Sequence, residues 1–165
     1  YTSPHLIHFN ERIRIDGIPI SNEKIIKFIE SHKQTLIESS ITFFEATTAL
    51  AFEYFAEKNV DIAIVETGLG GRLDSTNVLS PIQTIITEIH YDHTHILGNS
   101  IEEITSEKCG IFKNKTPAIT VNSDPRAIKT IKKHALGGGV CYPPPHFSPR
   151  TVNKKHQNVK KNVLL

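Results

Sequence analysis

A chain of 165 residues, 38% apolar and 22% charged, suits one soluble globular domain, which at this size buries roughly 68–70% of its unfolded surface. A net charge of +2 gives no general electrostatic case for nucleic acid or membrane binding, and two cysteines, Cys109 and Cys141, are too few for a disulfide framework and form no C-x-x-C. No apolar run approaches the roughly 18 residues of a membrane span and no signal peptide is visible, so a cytoplasmic protein is expected.

In chain order, residues 1–9 look loop-like, with Pro4 stopping any helix. "RIRIDGIPI" alternates strictly around Asp16-Gly17 and predicts a small hairpin or an extended excursion. A helix is predicted over 21–38, with Ile25, Ile26, Ile29, Leu36 and Ile37 on its apolar face. Thr42-Phe43-Phe44-Glu45 matches a capping box and opens a second helix to about Lys58. Three continuous apolar or β-branched runs, 60–66, 83–89 and 118–121, have the pattern of strands covered on both faces. Ser100-Ile101-Glu102-Glu103 caps a helix to about Lys108, with Gly110 as its stop. Asp124-Pro125 supplies an N-cap and a first-turn proline for a helix to about His134.

Strands alternating with helices predict an α/β fold with a mostly parallel sheet flanked by helices. From residue 136 the pattern fails. "LGGGVCYPPPHFSPR" is rich in glycine and proline, and "KKHQNVKK" has no amphipathic period. Residues 136–165 are expected to form an irregular, disordered tail, its lysines a solvated basic segment and not a nucleic-acid site.

In an open parallel sheet, ligands bind beyond the carboxyl ends of the strands. Glu66 ends one predicted strand, and "IHYDHTH" places Asp92, His93 and His95 beyond the next. Glycines 68, 70 and 71 would let backbone approach a ligand there. A carboxylate closing an apolar strand needs a positive partner, either a basic side chain or a bound cation, or plain exposure. Taken singly, each signal also has a structural explanation. Thr42 and Glu45 cap a helix, Phe44 belongs to a core, and Asp74, Thr76 and Asn77 form turns. Lys108 complements a helix dipole, and His93 hydrogen-bonds backbone in a loop.

The combination is more specific. "YTSPHL", "FNERIRIDGIPIS", "TFFEATTALAF" and the block E-x-G-L-G-G-R-L-D-x-T-N with a downstream D-H-T together resemble the central part of folylpolyglutamate synthase and dihydrofolate synthase, in the Mur ligase superfamily, over about residues 1–134. The resemblance implies an incomplete P-loop-NTPase-like central domain over 1–135 and an ATP-dependent amide ligase. Its substrates would be ATP, L-glutamate, and a reduced folate or dihydropteroate, joined through an acyl phosphate. It further implies Mg2+ held by Ser3, Glu66 and His93, a carbamylated lysine at Lys108, and a pterin site at Thr42, Phe44 and Asp74.

Three departures from the family pattern stand out. No G-K-[ST] phosphate loop occurs in the sequence, and the family's C-terminal domain is replaced by the unpatterned tail. His90 and Tyr91 stand where family members usually carry a small and an aliphatic residue. The chain, opening on Tyr1 in mid-pattern, is expected to be a central fragment that is inactive by itself. Two other readings compete: a non-catalytic remnant of a decayed gene, and a metal-dependent hydrolase built on His90, Asp92, His93 and His95.

Overall fold

The computed structural model describes residues 1–135, 137, 139–141 and 162–164. Short polar side chains start its longer helices. Ser21 accepts from the Lys24 N–H at the head of α1 (Asn22–Glu38), and Thr42 and Glu45 cap each other's backbone at α2 (Phe43–Glu57). Ser100 and Glu103 repeat that box at α4 (Ile101–Lys108), and Asp124 with Pro125 opens α5 (Pro125–His134). All four starts match the sequence signals.

The hairpin is β1 (Arg14–Ile15) with β2 (Ile18–Pro19), turned by Asp16 and Gly17 at positive φ. β3 (Ile62–Ile64) pairs in parallel with β7 (Asn162–Leu164). Tyr1 lies along β3 as well: its amino group donates to Ile64 O at 2.8 Å and its carbonyl accepts from the Glu66 N–H at 3.0 Å. β4 (Thr84–Ile86), β5 (Ala118–Thr120) and β6 (Val140–Cys141) form a parallel sheet in that order. A four-residue helix, α3 (Thr94–Leu97), follows β4. The α/β class and the parallel pairing are as expected.

Two apolar clusters hold these layers. One joins β3 to α1, α2 and the hairpin through Ile13, Ile20, Phe28, Leu50, Ala51 and Val65. The other joins β4 and β5 to α4 and α5 through Ile86, Ile104, Ile111, Ala118, Ala127 and Ile131. Each fully buried Ile, Leu, Val or Phe among them contributes about 1.5–3 kcal/mol.

Several details differ from expectation. The strands are three residues long, not four to seven, and β3 and β4 alternate in burial, with Ile62, Ile64 and Ile85 exposed. Among the described residues nothing covers that second face. α1 is rotated: Phe28 is buried and Ile25 and Leu36 pack beside it, while Ile26, Ile29 and Ile37 face outward. A stripe at 25, 28, 32 and 36 fits the 3.6-residue period better than the cluster of isoleucines does. His32 completes that stripe by stacking on Phe28 and bonding Glu53 of α2 at 2.8 Å. The expected irregular tail falls mostly outside the described residues; the described parts of it supply β6 and β7.

Candidate functional site

Alignment of Tyr1 along β3 carries the next residues across the strand's end. There the Ser3 N–H donates to Glu66 Oε2 at 2.9 Å. This is the one hydrogen bond of the Glu66 carboxylate among the described residues, and the side chain is exposed, so most of its acceptor capacity stays open. The loop beyond Ser3 is pinned at its far side by Glu11, which accepts from the N–H groups of His8, Leu6 and Ile7. Those donors, His8 foremost, hold the Glu11 carboxyl down at about 2.

The glycine block answers to packing more than to a ligand. A Cβ on Gly68 would fall 2.5 Å from the Phe44 ring. One on Gly71 would fall 2.6 Å from Lys108 O, and one on Gly110 would fall 2.3 Å from the Arg72 Cα. The turn is thus pressed against the end of α4. Arg72 N–H donates to Glu107 O at 2.9 Å and its guanidinium pairs with the Glu107 carboxylate at 3.0 Å. Asn77 donates to both Arg72 O and Gly110 O, and Lys113 donates to Asn77 in return. Asp74 ties the front of the turn, accepting from Gly68 N–H, Leu69 N–H, Thr76 N–H and the Thr76 hydroxyl. Gly70, at φ 67°, sits in the left-handed region that glycine enters without strain. The expectation that glycines 68, 70 and 71 clear space for a ligand is therefore corrected at 68 and 71, where the space goes to Phe44 and to backbone, as it also does at Gly110.

Thr42, Phe44 and Asp74 do share one cleft, of about 300 Å³, with Gly70, Leu97 and Glu107 on its other walls. Within it Thr42 is engaged by Glu45 and Asp74 by its four donors, which leaves Phe44 as the freer surface. Tyr1 packs on Phe44 at a centroid distance of 5.9 Å and bonds Thr48 through its hydroxyl.

His93 heads α3 in the left-handed conformation, φ 48°, a placement uncommon outside Gly, Asn, Asp and His. Asp92 fixes it, accepting from its N–H at 2.8 Å, with the His93 ring nitrogen 3.5 Å from the other carboxylate oxygen. No hydrogen bond or ion pair links His93 to Glu66 or Ser3 among the described residues. Lys108 ends α4, half-buried, and its ammonium makes no hydrogen bond or ion pair among them either. No group of three His, Cys, Asp or Glu side chains able to hold a metal occurs among the described residues, so the His90, Asp92, His93, His95 cluster does not converge as the hydrolase reading needs.

Magnesium is a hard cation that keeps several waters and takes one or two carboxylates plus phosphate oxygens. An open carboxylate at Glu66, with the Ser3 backbone bonded to it, fits that preference for oxygen donors. Burial pushes the Cys109 thiol up to about 12, outside nucleophilic chemistry. Sequence reasoning missed the Arg72–Glu107–Asn77 lock and the buried Arg12; G-G-R-L-D-x-T-N carries the first as a motif, whereas the second arises from burial alone. No helix among the described residues is long and apolar enough to cross a membrane.

No protein-family model matches the chain. Over 82% of its length it is 49% identical to the dihydrofolate synthase/folylpolyglutamate synthase of Bacillus subtilis (strain 168). A crystal structure of folylpolyglutamate synthase from Thermotoga maritima superposes with a TM-score of 0.77 at 40% identity, over 86% of this chain and 34% of that one. A folylpolyglutamate synthase in complex with AMPPCP and folate gives 0.79 at 36% identity, over 86% and 37%. The chain spans about a third of the length of the curated relatives it matches, 33% of the Bacillus subtilis protein and 32% of one from Lacticaseibacillus casei. By sequence and fold together, the chain belongs to the dihydrofolate synthase and folylpolyglutamate synthase family.

Proposed function

We propose that this chain is the central portion of an ATP-dependent ligase that joins L-glutamate to a reduced folate or to dihydropteroate in the cytoplasm. In such a reaction the acid's carboxylate attacks the γ-phosphate of ATP, giving an acyl phosphate and ADP. The glutamate amine then displaces phosphate to form the amide. The observation that carries the reading is the Ser3 to Glu66 hydrogen bond, which joins residues 63 positions apart at the end of β3.

Ser3 and Glu66 would hold Mg2+, with His93 as a further ligand, and Mg2+ would supply charge stabilisation for the transferring phosphoryl group. The Ser3 N–H fixes the rotamer of the Glu66 carboxylate, so its open lone pairs point in one direction before any ligand arrives. Phe44 offers a flat apolar surface to the pterin ring, and Asp74, by tying the turn, keeps Gly68 against the Phe44 ring. Lys108, half-buried and without a partner among the described residues, is the site for carbamylation, which would turn an ammonium into an anion.

The test is ADP release by the purified protein that carries this chain. Release that requires both dihydropteroate, or a reduced folate, and L-glutamate, together with a product heavier by one glutamyl residue, is the expected result. Release independent of glutamate, or none with a folded protein, would sink the ligase reading.

A further inference from the structure

A groove of about 970 Å³ runs between α4 and α5. Ile96, Leu97 and Glu107 line it, and the same three residues line the cleft that holds Thr42, Phe44 and Asp74. The two spaces therefore adjoin. Ile96 is 59% exposed at their junction, so a flexible chain that leaves the cleft over α3 enters the groove.

The α5 wall of the groove is basic. Arg126, Lys129 and Lys133 stand at i, i+3 and i+7 on one face of the helix, a row about 10 Å long. Ala127 and Ile131 are buried on the opposite face, which fixes the row toward the groove. Arg126 is paired with Asp124, but Lys129 and Lys133 are exposed and make no hydrogen bond or ion pair among the described residues. The carboxylates of the α4 wall are mostly spent. Glu103 accepts from the N–H groups of Asn99 and Ser100, and Glu107 is paired with Arg72, which leaves Glu102, exposed to water. A single carboxylate would gain little from one exposed lysine. A chain of carboxylates engages the row together, because each contact after the first is intramolecular.

We propose that the groove between α4 and α5 binds the oligo-γ-glutamyl chain of an already extended folate, with Lys129 and Lys133 as counter-charges for its α-carboxylates. The assignment rests on the folate-ligase reading and adds a second binding region to it. Each glutamate joined consumes one carboxylate and brings two, so repeated turnover builds a polyanion that needs a route out of the cleft. The groove is such a route, with Glu107 neutralised by Arg72 at the junction and positive charge along α5 beyond it.

The test is calorimetric titration of the purified protein that carries this chain with folic acid and with its pentaglutamate. At low salt the pentaglutamate is expected to bind about three- to tenfold tighter, and the advantage should shrink as salt is raised to about 0.5 M. Lys129→Gln combined with Lys133→Gln should bring the ratio close to one. Lys27→Gln combined with Lys33→Gln, on the exposed face of α1 outside the groove, should leave it unchanged. All four positions are exposed, and circular dichroism confirms that each variant folds. Equal binding of the two ligands, a ratio insensitive to salt, a ratio that survives in the groove variant, or one lost equally in the α1 variant overturns the assignment and leaves the folate reading standing. Binding of neither ligand overturns both. An α-linked pentaglutamate peptide that binds as tightly as the folate pentaglutamate would show a general surface for acidic peptides and would also overturn it.

Discussion

The Phe44 ring fills the space that a side chain at residue 68 would need, 2.5 Å from where the Gly68 Cβ would stand. The obstacle is the far end of a half-buried side chain, so it can swing aside. Gly68→Ala is therefore expected to cost only about 1 kcal/mol of stability. It should nevertheless displace the ring that faces the cleft. Titration with dihydropteroate should show a clear loss of affinity while thermal melting changes little; unchanged affinity would remove Phe44 from the site.

Gly110 meets a harder obstacle. Its Cβ would lie 2.3 Å from Arg72 Cα, on backbone already bonded to Glu107 and Asn77. Gly110→Ala is expected to cost about 3 kcal/mol or more, because the turn cannot move without breaking those bonds. Urea denaturation checks it, and a loss below about 1 kcal/mol would show the lock to be loose.

Asn77 is the centre of that lock, with its amide between Arg72 O and Gly110 O and its oxygen accepting from Lys113. Asn77→Ala leaves the part-buried Gly110 carbonyl, the exposed Arg72 carbonyl and the Lys113 ammonium each short of a partner. The expected loss is about 2–3 kcal/mol, read by the same denaturation. Asn77→Asp keeps the acceptor for Lys113 but not the donors, and should fall between the two.

Much of this was legible in the chain. Capping boxes at Thr42 and Ser100 and the Asp124-Pro125 start are local signals, complete within four residues, and the structure follows them. Thr42, Phe44 and Asp74 share a cleft and Ser3 meets Glu66, contacts between segments distant in the chain that no local pattern encodes. The strand lengths and the buried face of α1 were not legible, since both depend on what packs against them. Arg12 was invisible for the same reason: nothing in "NERIRI" marks which arginine is buried, and its partners His5 and Phe43 come from separate segments. The glycines misled because a bare Cα serves ligand approach and backbone packing equally well.

Glu66→Gln separates metal binding from folding. The amide oxygen of glutamine still accepts from the Ser3 N–H, and the position is exposed, so stability should stay within about 0.5 kcal/mol. The charge that a hard cation needs is gone. Mg2+ titration by calorimetry should show affinity reduced tenfold or more, as an order of magnitude, against the unmutated protein. Equal affinity in the two would exclude Glu66 as a ligand.

The loop carrying Ser3 and His5 should loosen in acid at a pH set by Glu11. Its carboxyl titrates at about 2 in the folded chain, against 4.5 ordinarily, because the N–H groups of His8, Leu6 and Ile7 stabilise the charged form. A depressed carboxyl contributes its full share of stability above the unfolded value and loses it as the pH falls through the folded one. Loop order should therefore persist from neutral pH to about 4.5 and decline between about 4.5 and 2. Amide hydrogen exchange at Leu6, Ile7 and His8 measures the change. With Glu11→Gln the amides should lose the titration step and exchange at one pH-corrected rate. If the wild-type step instead lies near 4.5, the three N–H bonds do not hold Glu11 in solution, and the loop that presents Ser3 to Glu66 is not pinned there.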